Sequence, residues 1–183
     1  MSRPVGSGAG MVVEHPEYLE YITVSGLSYK VDFQDEELLR KYSWHSQRRR
    51  GEYAYLARQT RRVNGRQRTV YFHKEILSIS ANSKYQVDHK DGDIQDNRRS
   101  NLRKCTPSQN RQNSKVPTTS TCGYKGVHLS YGGQYRARIG IPNTTKKVNL
   151  GMFKTAEEAA QAYDNAAGQM YGEFARMNFR GNK

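Results

Sequence analysis

The chain has 183 residues, enough for one ordinary domain or two small ones, and carries 30 Lys and Arg against 17 Asp and Glu. The net charge of +13 and the 13 tyrosines, many of them among basic residues, favour a nucleic-acid partner. No apolar run is long enough to cross a membrane, and no signal-peptide pattern opens the chain. Cys105 and Cys122 form no Cys-x-x-Cys pair, so they indicate neither a zinc site nor a disulfide framework and are typical of a reducing compartment.

The first half of the chain predicts hairpins and short helices after a tail. Residues 1–17 are rich in Gly and Ser without periodicity, which predicts a flexible segment. Strands are expected over 18–24 and 28–32, with a turn at Ser25-Gly26, and a helix over 35–42. Trp44 is expected in the core. A second hairpin is predicted over 52–72 with its turn at Asn64-Gly65, and His73 opens a helix over 73–80.

Arginines are dense on the second hairpin and again before the next predicted helix. A charge run is usually a solvated face, but this density favours a surface that grips phosphate. The predicted DNA contacts in this half of the chain are Arg58, Arg61, Arg62, Arg66, Arg68, Arg98, Arg99 and Arg103.

An adjacent Asp-His pair, Asp88 and His89, stands at the centre of the chain. A carboxylate is a hard oxygen ligand suited to Mg²⁺, and an imidazole takes a proton near neutral pH. Asn110, near the start of a helix predicted from Thr106 to about residue 114, offers a second oxygen. A solvated turn between strand and helix explains Gly92, but it leaves the Asp-His pair unexplained. The pattern therefore indicates a metal-assisted phosphodiester hydrolase.

Asp88-His89, Asn101 and Asn110 resemble the HNH nuclease motif, in the variant whose last His is replaced by Asn. They are most similar to small phage and intron-encoded homing endonucleases. The resemblance implies a ββα-metal finger, in which two antiparallel strands and a helix surround one divalent cation. It implies that His89 is the general base, that Asn101 braces the loop carrying His89, and that Asp88 and Asn110 hold the metal. Hard oxygen ligands favour one Mg²⁺ (or Mn²⁺) per active site over zinc. His73 is either structural or in contact with the scissile phosphate, and both alternatives stay open.

The second half of the chain predicts a separate small module. Residues 115–122 contain a proline and several hydroxyl residues with almost no apolar content, which predicts a linker. Strands are then expected over 124–128, 135–139 and 146–151, followed by a helix over 155–167. A capping box from Thr155 to Glu158 opens this helix.

The stretches 124–127, 150–164 and 174–179 resemble the ethylene-response-factor (Apetala-type) DNA-binding domain. The resemblance implies a three-stranded antiparallel sheet in the DNA major groove, backed by one helix. Gly132 and Tyr135 stand where that family carries tryptophans, and His128 replaces a strand arginine, so its base-reading set does not transfer. The predicted contacts, as a set, are Lys125, His128, Arg136, Arg138, Lys146 and Lys147.

The predicted fold class is α+β: a ββα-metal HNH nuclease domain, then a small three-stranded antiparallel sheet with one helix. The predicted limits are an 18–114 nuclease domain with its ββα-metal core at about 70–114, a 115–122 linker, and a 123–180 DNA-binding domain. Whether that last module reads bases or binds only phosphates stays open.

The predicted function is a metal-dependent DNA endonuclease of homing type. We expect a monomer rather than a dimer, which nicks double-stranded DNA in the cytoplasm of a bacterial or phage-infected cell, with no membrane partner. The alternative is a non-cleaving, sequence-specific DNA-binding regulator. A basic RNA-binding protein, the third alternative, predicts neither the acidic ligand nor the second module.

Overall fold

The computed structural model describes residues 2–4, 10–48, 54–60, 65–117 and 120–179. Contacts between Cα atoms divide the chain into two units, Met1–Cys105 and Thr106–Lys183. This division falls before the predicted 115–122 linker and groups the helix after Cys105 with the second unit. The domain limits expected from the sequence stay a prediction.

The first unit begins with a four-stranded antiparallel sheet. Strands β1 (Ser2–Pro4), β2 (Met11–Glu14), β3 (Leu19–Ile22) and β4 (Ser28–Val31) lie in chain order. The prediction of a flexible tail over 1–17 is wrong for the residues of β1 and β2. Val12 pairs with Tyr21 across β2 and β3 and is buried, so apolar burial orders a segment that composition assigned to the tail. Residues 5–9 lie outside the described residues.

A 3₁₀ helix (Phe33–Asp35) and helix α1 (Glu36–Lys41) follow, and then a second antiparallel sheet. Its strands are β5 (His45–Arg48), β6 (Ala54–Gln59) and β7 (Thr69–Tyr71), and α2 (Phe72–Ile76) follows directly. The antiparallel pairing of β6 with β7 agrees with the predicted hairpin, although Asn64 of its predicted turn lies outside the described residues. Both predicted helices are present, but α2 ends at Ile76 and not at residue 80, and sequence reasoning missed β5. Trp44 is 2% exposed and packs edge-on against Phe72, as a core residue should.

Strands β8 (Gln86–His89) and β9 (Leu102–Cys105) form an antiparallel pair that ends the first unit. The loop between them, residues 90–101, bonds to β4 through two backbone hydrogen bonds of 2.8 Å, from the Asn97 N–H to the Lys30 carbonyl and from the Lys30 N–H to the Gln95 carbonyl. One core of buried side chains links this pair to both sheets, with Val87 and Leu102 joining Leu19, Tyr21, Leu56 and Phe72.

The second unit begins with helix α3 (Pro107–Gln112). Thr106 caps the helix and Pro107 stands at its first turn, as expected from the sequence, and Thr106 also forms a capping box with Gln109 that was not predicted. A three-stranded antiparallel sheet follows: β10 (Val127–Leu129), β11 (Tyr135–Gly140) and β12 (Lys147–Phe153). Helix α4 (Ala156–Tyr171) is four residues longer than predicted at its C-terminal end.

Small residues bring α4 close to this sheet. Ala159, Ala160 and Ala167 are fully buried, and Ala137 on β11 meets the same core. Gly126 has φ +79° and leaves room for the Tyr163 ring, because a Cβ there would lie 2.1 Å from a ring carbon. The α+β class and the three-stranded sheet with one helix are as predicted, while the ββα-metal arrangement stays a prediction.

Candidate active site and DNA-facing surface

Asp88 and His89 end strand β8, and both side chains are buried, at 4% and 6% exposure. Asp88 pairs across the sheet with Arg103 of β9, whose Nε and terminal nitrogen donate to Asp88 Oδ2 at 2.8 and 2.7 Å. The Arg103 side chain is only 11% exposed. The structure therefore engages Arg103 in a buried ion pair with the predicted metal ligand, a placement that does not fit the predicted phosphate contact.

His89 lies in a cluster of rings. Its Nε2 is 3.4 Å from Asn97 Oδ1, its ring meets His73 edge-on at 5.3 Å, and Tyr55 lies 6.5 Å away. Burial lowers the pKa of His89, and the Asn97 hydrogen bond opposes that shift by favouring the protonated form. A neutral imidazole is the form that accepts a proton, so this environment suits a general base.

His73, on helix α2, belongs to the same cluster of rings. It stacks on Tyr71 with ring centres 5.6 Å apart and lies 5.4 Å from Tyr55. Burial, followed by the neighbouring charges of His89 and Lys74, lowers the pKa of His73 to about 3. With 7% of its surface exposed, His73 packs beneath His89, and this placement favours the structural alternative over contact with phosphate.

Asn101 connects the two ends of the loop between β8 and β9. Its Oδ1 accepts from the Asp91 backbone N–H at 3.1 Å, and its Nδ2 donates to the Asp96 carbonyl at 2.9 Å. These two bonds hold the turn that follows His89. The geometry therefore suits the bracing role that the HNH resemblance implied, and that role stays a prediction.

The predicted metal ligands lie in different units, with Asp88 on β8 and Asn110 on α3. Among the described residues, no group of three or more His, Cys, Asp and Glu is placed to hold a metal ion. The predicted pair has only one residue of those types. A carboxylate and an amide oxygen suit a hard cation, but at Asp88 Oδ2 a cation would compete with the Arg103 guanidinium.

The other arginines predicted to bind DNA in the first unit separate into three groups. Arg58 lies over Tyr42 at 3.9 Å and bonds Glu75 at 3.3 Å, with its side chain 16% exposed, so it packs inward and does not fit a phosphate contact. Two more are paired with carboxylates, namely Arg98 with Asp96 and Arg99 with Asp35. The exposed ones are Arg66 and Arg68, while Arg61 and Arg62 lie outside the described residues.

In the second unit, β11 alternates between the core and the opposite face. Ala137 and Ile139 are buried, whereas Arg136 and Arg138 lie on the other side. His128 of β10 is the cross-strand partner of Arg136. Burial lowers the pKa of His128, and the charges of Lys147, Arg138 and Arg136 lower it further. The structure thus brings four of the predicted contacts together on one face: His128, Arg136, Arg138 and Lys147.

The two remaining predicted contacts of this unit differ from each other. Lys146 is exposed just before β12. Lys125 donates from Nζ to the carbonyls of Gln112 and Ser114 at 2.5 and 2.8 Å, so its ammonium group connects the sheet region to the end of α3.

Sequence reasoning missed the side chains that surround His89. Asn97, Tyr55 and Tyr71 lie within the cluster or next to it. The sequence explains Asn97 as a turn residue, and only its 1% exposure shows that its amide points inward. The tyrosines come from another sheet, and no local signal relates them to residue 89.

Comparison with known proteins supports both halves of the sequence analysis. Residues 81–112 match the family model described as HNH endonuclease. The chain is 48% identical over 66 residues to the dehydration-responsive element-binding protein 2A of Oryza sativa subsp. indica. The matched stretch covers 36% of this chain and 24% of that protein. The chain is 44% identical over 72 residues to the ethylene-responsive transcription factor LEP of Arabidopsis thaliana, covering 39% of this chain and 32% of that one. No solved structure matches.

The chain therefore carries an HNH segment and a stretch similar to ethylene-responsive and dehydration-responsive factors. It spans about a quarter of the length of the dehydration-responsive proteins of rice that it matches. No helix among the described residues has the length and apolar content that crossing a membrane requires.

Proposed function

We propose that the protein is an HNH-type endonuclease of the homing kind that nicks double-stranded DNA at sites chosen by its second unit. The observation that carries this proposal is the setting of His89. It ends a strand beside Asp88, contacts the rings of His73 and Tyr55 and the amide of Asn97, and is followed by a loop that the Asn101 side chain closes. The match of residues 81–112 to the HNH endonuclease model supports the same reaction class.

In the proposed reaction, His89 accepts the proton of the water that attacks the phosphate. Burial holds His89 neutral near physiological pH, and Asn101 fixes the loop that follows it. We propose that Asp88 and Asn110 hold one Mg²⁺ (or Mn²⁺), which would stabilise charge on the phosphate and the leaving oxygen. Arg103 orients the Asp88 carboxylate through their cross-strand ion pair. One such centre cuts one strand, so we expect a monomer to nick.

In this proposal, the second unit binds the DNA. His128, Arg136, Arg138 and Lys147 lie on the sheet face opposite the helix, where they present positive charge and donors to a groove. Part of the chain is similar to proteins named for binding the dehydration-responsive element, which supports sequence-specific contact.

The first experiment incubates supercoiled plasmid with Mg²⁺, with and without EDTA. We expect nicking that EDTA abolishes, and we expect His89→Ala to lose it by about 10²–10⁴-fold because the general base is gone. DNA affinity, measured by fluorescence anisotropy, should stay near that of the unchanged protein. His45→Ala, at an exposed histidine of the same unit, is the matched control. Turnover by His89→Ala at the rate of the control would contradict the assignment.

A second experiment tests the division of labour. Replacing Arg136 and Arg138 together by Gln should relax site choice more than it slows the nicking of non-specific plasmid, because these side chains lie on the DNA-facing sheet. The measurement is the cleavage pattern on one long DNA. An unchanged pattern would mean that the sheet face does not select the site.

A non-cleaving DNA-binding regulator remains the second candidate. The similarity to an ethylene-responsive transcription factor favours it. It predicts DNA binding with no nicking at any Mg²⁺ concentration, so the plasmid experiment separates the two candidates.

A further inference from the structure

Helix α3 carries Asn110, one of the two proposed metal ligands, yet it belongs to the unit that contains the DNA-facing sheet. We propose that Lys125 is a positioning residue that joins this helix to the sheet, so that Asn110 keeps a fixed position relative to the DNA-facing strands. Lys125 then acts on the reaction through α3 and not by binding phosphate. This inference rests on the proposed function for its catalytic meaning, but the attachment itself is testable without any cleavage.

Helix α3 is too short to be stable by itself. It has six residues, Pro107–Gln112, whereas isolated helices shorter than about 12–15 residues are marginal in water. The last four carbonyls of any helix also lack partners within that helix. Contacts with the surrounding unit must therefore hold α3 in place.

Lys125 supplies such a contact at the C-terminal end of α3. Its Nζ donates to the carbonyls of Gln112, the last residue of the helix, and of Ser114, at 2.5 and 2.8 Å. A cation at this end of a helix also interacts favourably with the helix dipole. Both bonds engage the ammonium group with the helix, which favours attachment over the predicted DNA contact.

The backbone of Lys125 is fixed by helix α4. The Lys125 N–H donates to Asn178 Oδ1 at 2.6 Å, and Asn178 Nδ2 donates to the Lys125 carbonyl at 3.1 Å. Asp164 of α4, which is 5% exposed, accepts from the Asn178 N–H at 2.8 Å and from Asn178 Nδ2 at 3.0 Å. A buried carboxylate thus orients the amide that holds Lys125, and the lysine side chain starts from a fixed point.

The attachment continues to the DNA-facing strand β11. Gly126 follows Lys125 directly, and its carbonyl accepts from the Arg138 N–H at 2.8 Å. Arg138 lies on β11, on the face that we propose contacts DNA. A short path of covalent and hydrogen bonds therefore runs from Arg138 through Gly126 and Lys125 to the last turn of α3.

A second attachment holds the other end of α3. The Asn143 N–H, in the turn between β11 and β12, donates to Ser108 Oγ at 3.0 Å. Ser108 lies in the first turn of α3 and Lys125 bonds its last turn, so the two attachments restrict both the tilt and the rotation of the helix. The predicted linker over 115–122 thus lies between two parts of one unit and is not a tether between independent domains.

The first test measures hydrogen exchange in the full chain without DNA or metal. The N–H groups of Asn110 and Asn113 bond to carbonyls one turn earlier, so the amides of residues 110–113 report on the helix. Lys125→Met keeps the apolar stem of the side chain and removes the ammonium group. We expect exchange over 110–113 to become about 10-fold faster, the effect of losing a hydrogen bond to a charged donor.

Two controls belong to this test. Exchange over β11 should stay near that of the unchanged protein, which shows that the unit is folded. Lys154→Met, at an exposed lysine of the same unit, should match the unchanged protein over 110–113 as well, because it removes an ammonium group that does not bond α3.

Nicking and DNA binding give the second readout. Lys125→Met should lower kcat by about 10-fold and raise the Mg²⁺ concentration for half-maximal rate by a similar factor, since residues that orient a metal ligand affect metal affinity or activity by about 10–100-fold. DNA affinity and its salt dependence should stay unchanged. Lys125→Arg, which keeps a cation with several donors, should recover most of the rate, and Lys154→Met should nick at the rate of the unchanged protein.

Ser108→Ala removes the second attachment and leaves the sheet unchanged. It is the variant to use if Lys125→Met does not fold, as judged by circular dichroism. We expect faster exchange over 110–113 and slower nicking in this variant too.

Two results would overturn the proposal. One is unchanged exchange over 110–113 in the folded variants. The other is a loss of DNA affinity in Lys125→Met at an unchanged kcat, with a salt slope lower by about 0.9, which would make Lys125 a phosphate contact. Failure of the proposed function looks different: exchange would respond to Lys125→Met as expected, while the unchanged protein would nick no DNA.

Discussion

The burial of His73 predicts a pH dependence of stability in the first unit. Its pKa is lowered to about 3, chiefly by burial, whereas a histidine of the unfolded chain titrates near ~6.5. The unfolded state therefore binds more protons between these values, and stability is complete above about 6.5 and is lost as pH falls toward 3. The slope for one proton is about 1.4 kcal/mol per pH unit. Acidification to about pH 5 should thus cost about 2 kcal/mol through His73 alone.

The assay is urea unfolding followed by Trp44 fluorescence, at about pH 7.5 and about pH 5. Trp44 is the only tryptophan in the chain and packs 4.8 Å from Phe72, the neighbour of His73, so it reports on the first unit. His73→Phe keeps an aromatic ring against Tyr71 but removes the titration. We expect this variant to lose about 2 kcal/mol less than the unchanged protein on acidification.

His89 is also buried with a lowered pKa, and its charge is a cause of the lowered pKa of His73, but burial is the first cause, so the comparison reports chiefly on the burial of His73. His45→Gln, at an exposed position, should keep the full pH dependence of the unchanged protein. Equal losses in His73→Phe and the unchanged protein would refute the reasoning, because they would mean that the folded state accepts a proton on His73 at no cost.

Two further predictions concern packing. Gly126→Ala should lower stability by about 1–3 kcal/mol more than Gly132→Ala in thermal unfolding followed by circular dichroism. Both glycines have positive φ, but only a Cβ at residue 126 meets a ring, that of Tyr163, so equal losses would show that the ring moves freely. Arg58→Gln should cost about 1–2 kcal/mol by removing a cation from aromatic faces and should leave DNA affinity unchanged. Arg66→Gln, at an exposed arginine, should lower DNA affinity and leave stability unchanged. A loss of DNA affinity in Arg58→Gln would mean that Arg58 does contact DNA.

The sequence by itself predicted those features that depend on neighbouring residues. The turn at Ser25-Gly26, the start of a helix at Thr106 and the capping box at Thr155 were all predicted because backbone geometry and hydrogen bonding operate within a few residues. The pair Asp88 and His89 could also be identified from the sequence, because two adjacent residues stay adjacent in any fold. The match of residues 81–112 to the HNH endonuclease model supports that part of the prediction.

Only the tertiary structure decided which side chains share a site. A strand such as β5, at 45–48, forms by backbone pairing with β6 and contains no buried residue, so local composition does not reveal it. Arg58 and Arg103 look the same in the sequence as the exposed Arg66, yet one packs on aromatic rings and the other bonds a buried carboxylate. Asn97 owes its place beside His89 to a hydrogen bond with Lys30, far away along the chain. Such contacts depend on how elements pack, and packing is a property of the whole unit rather than of any stretch within it.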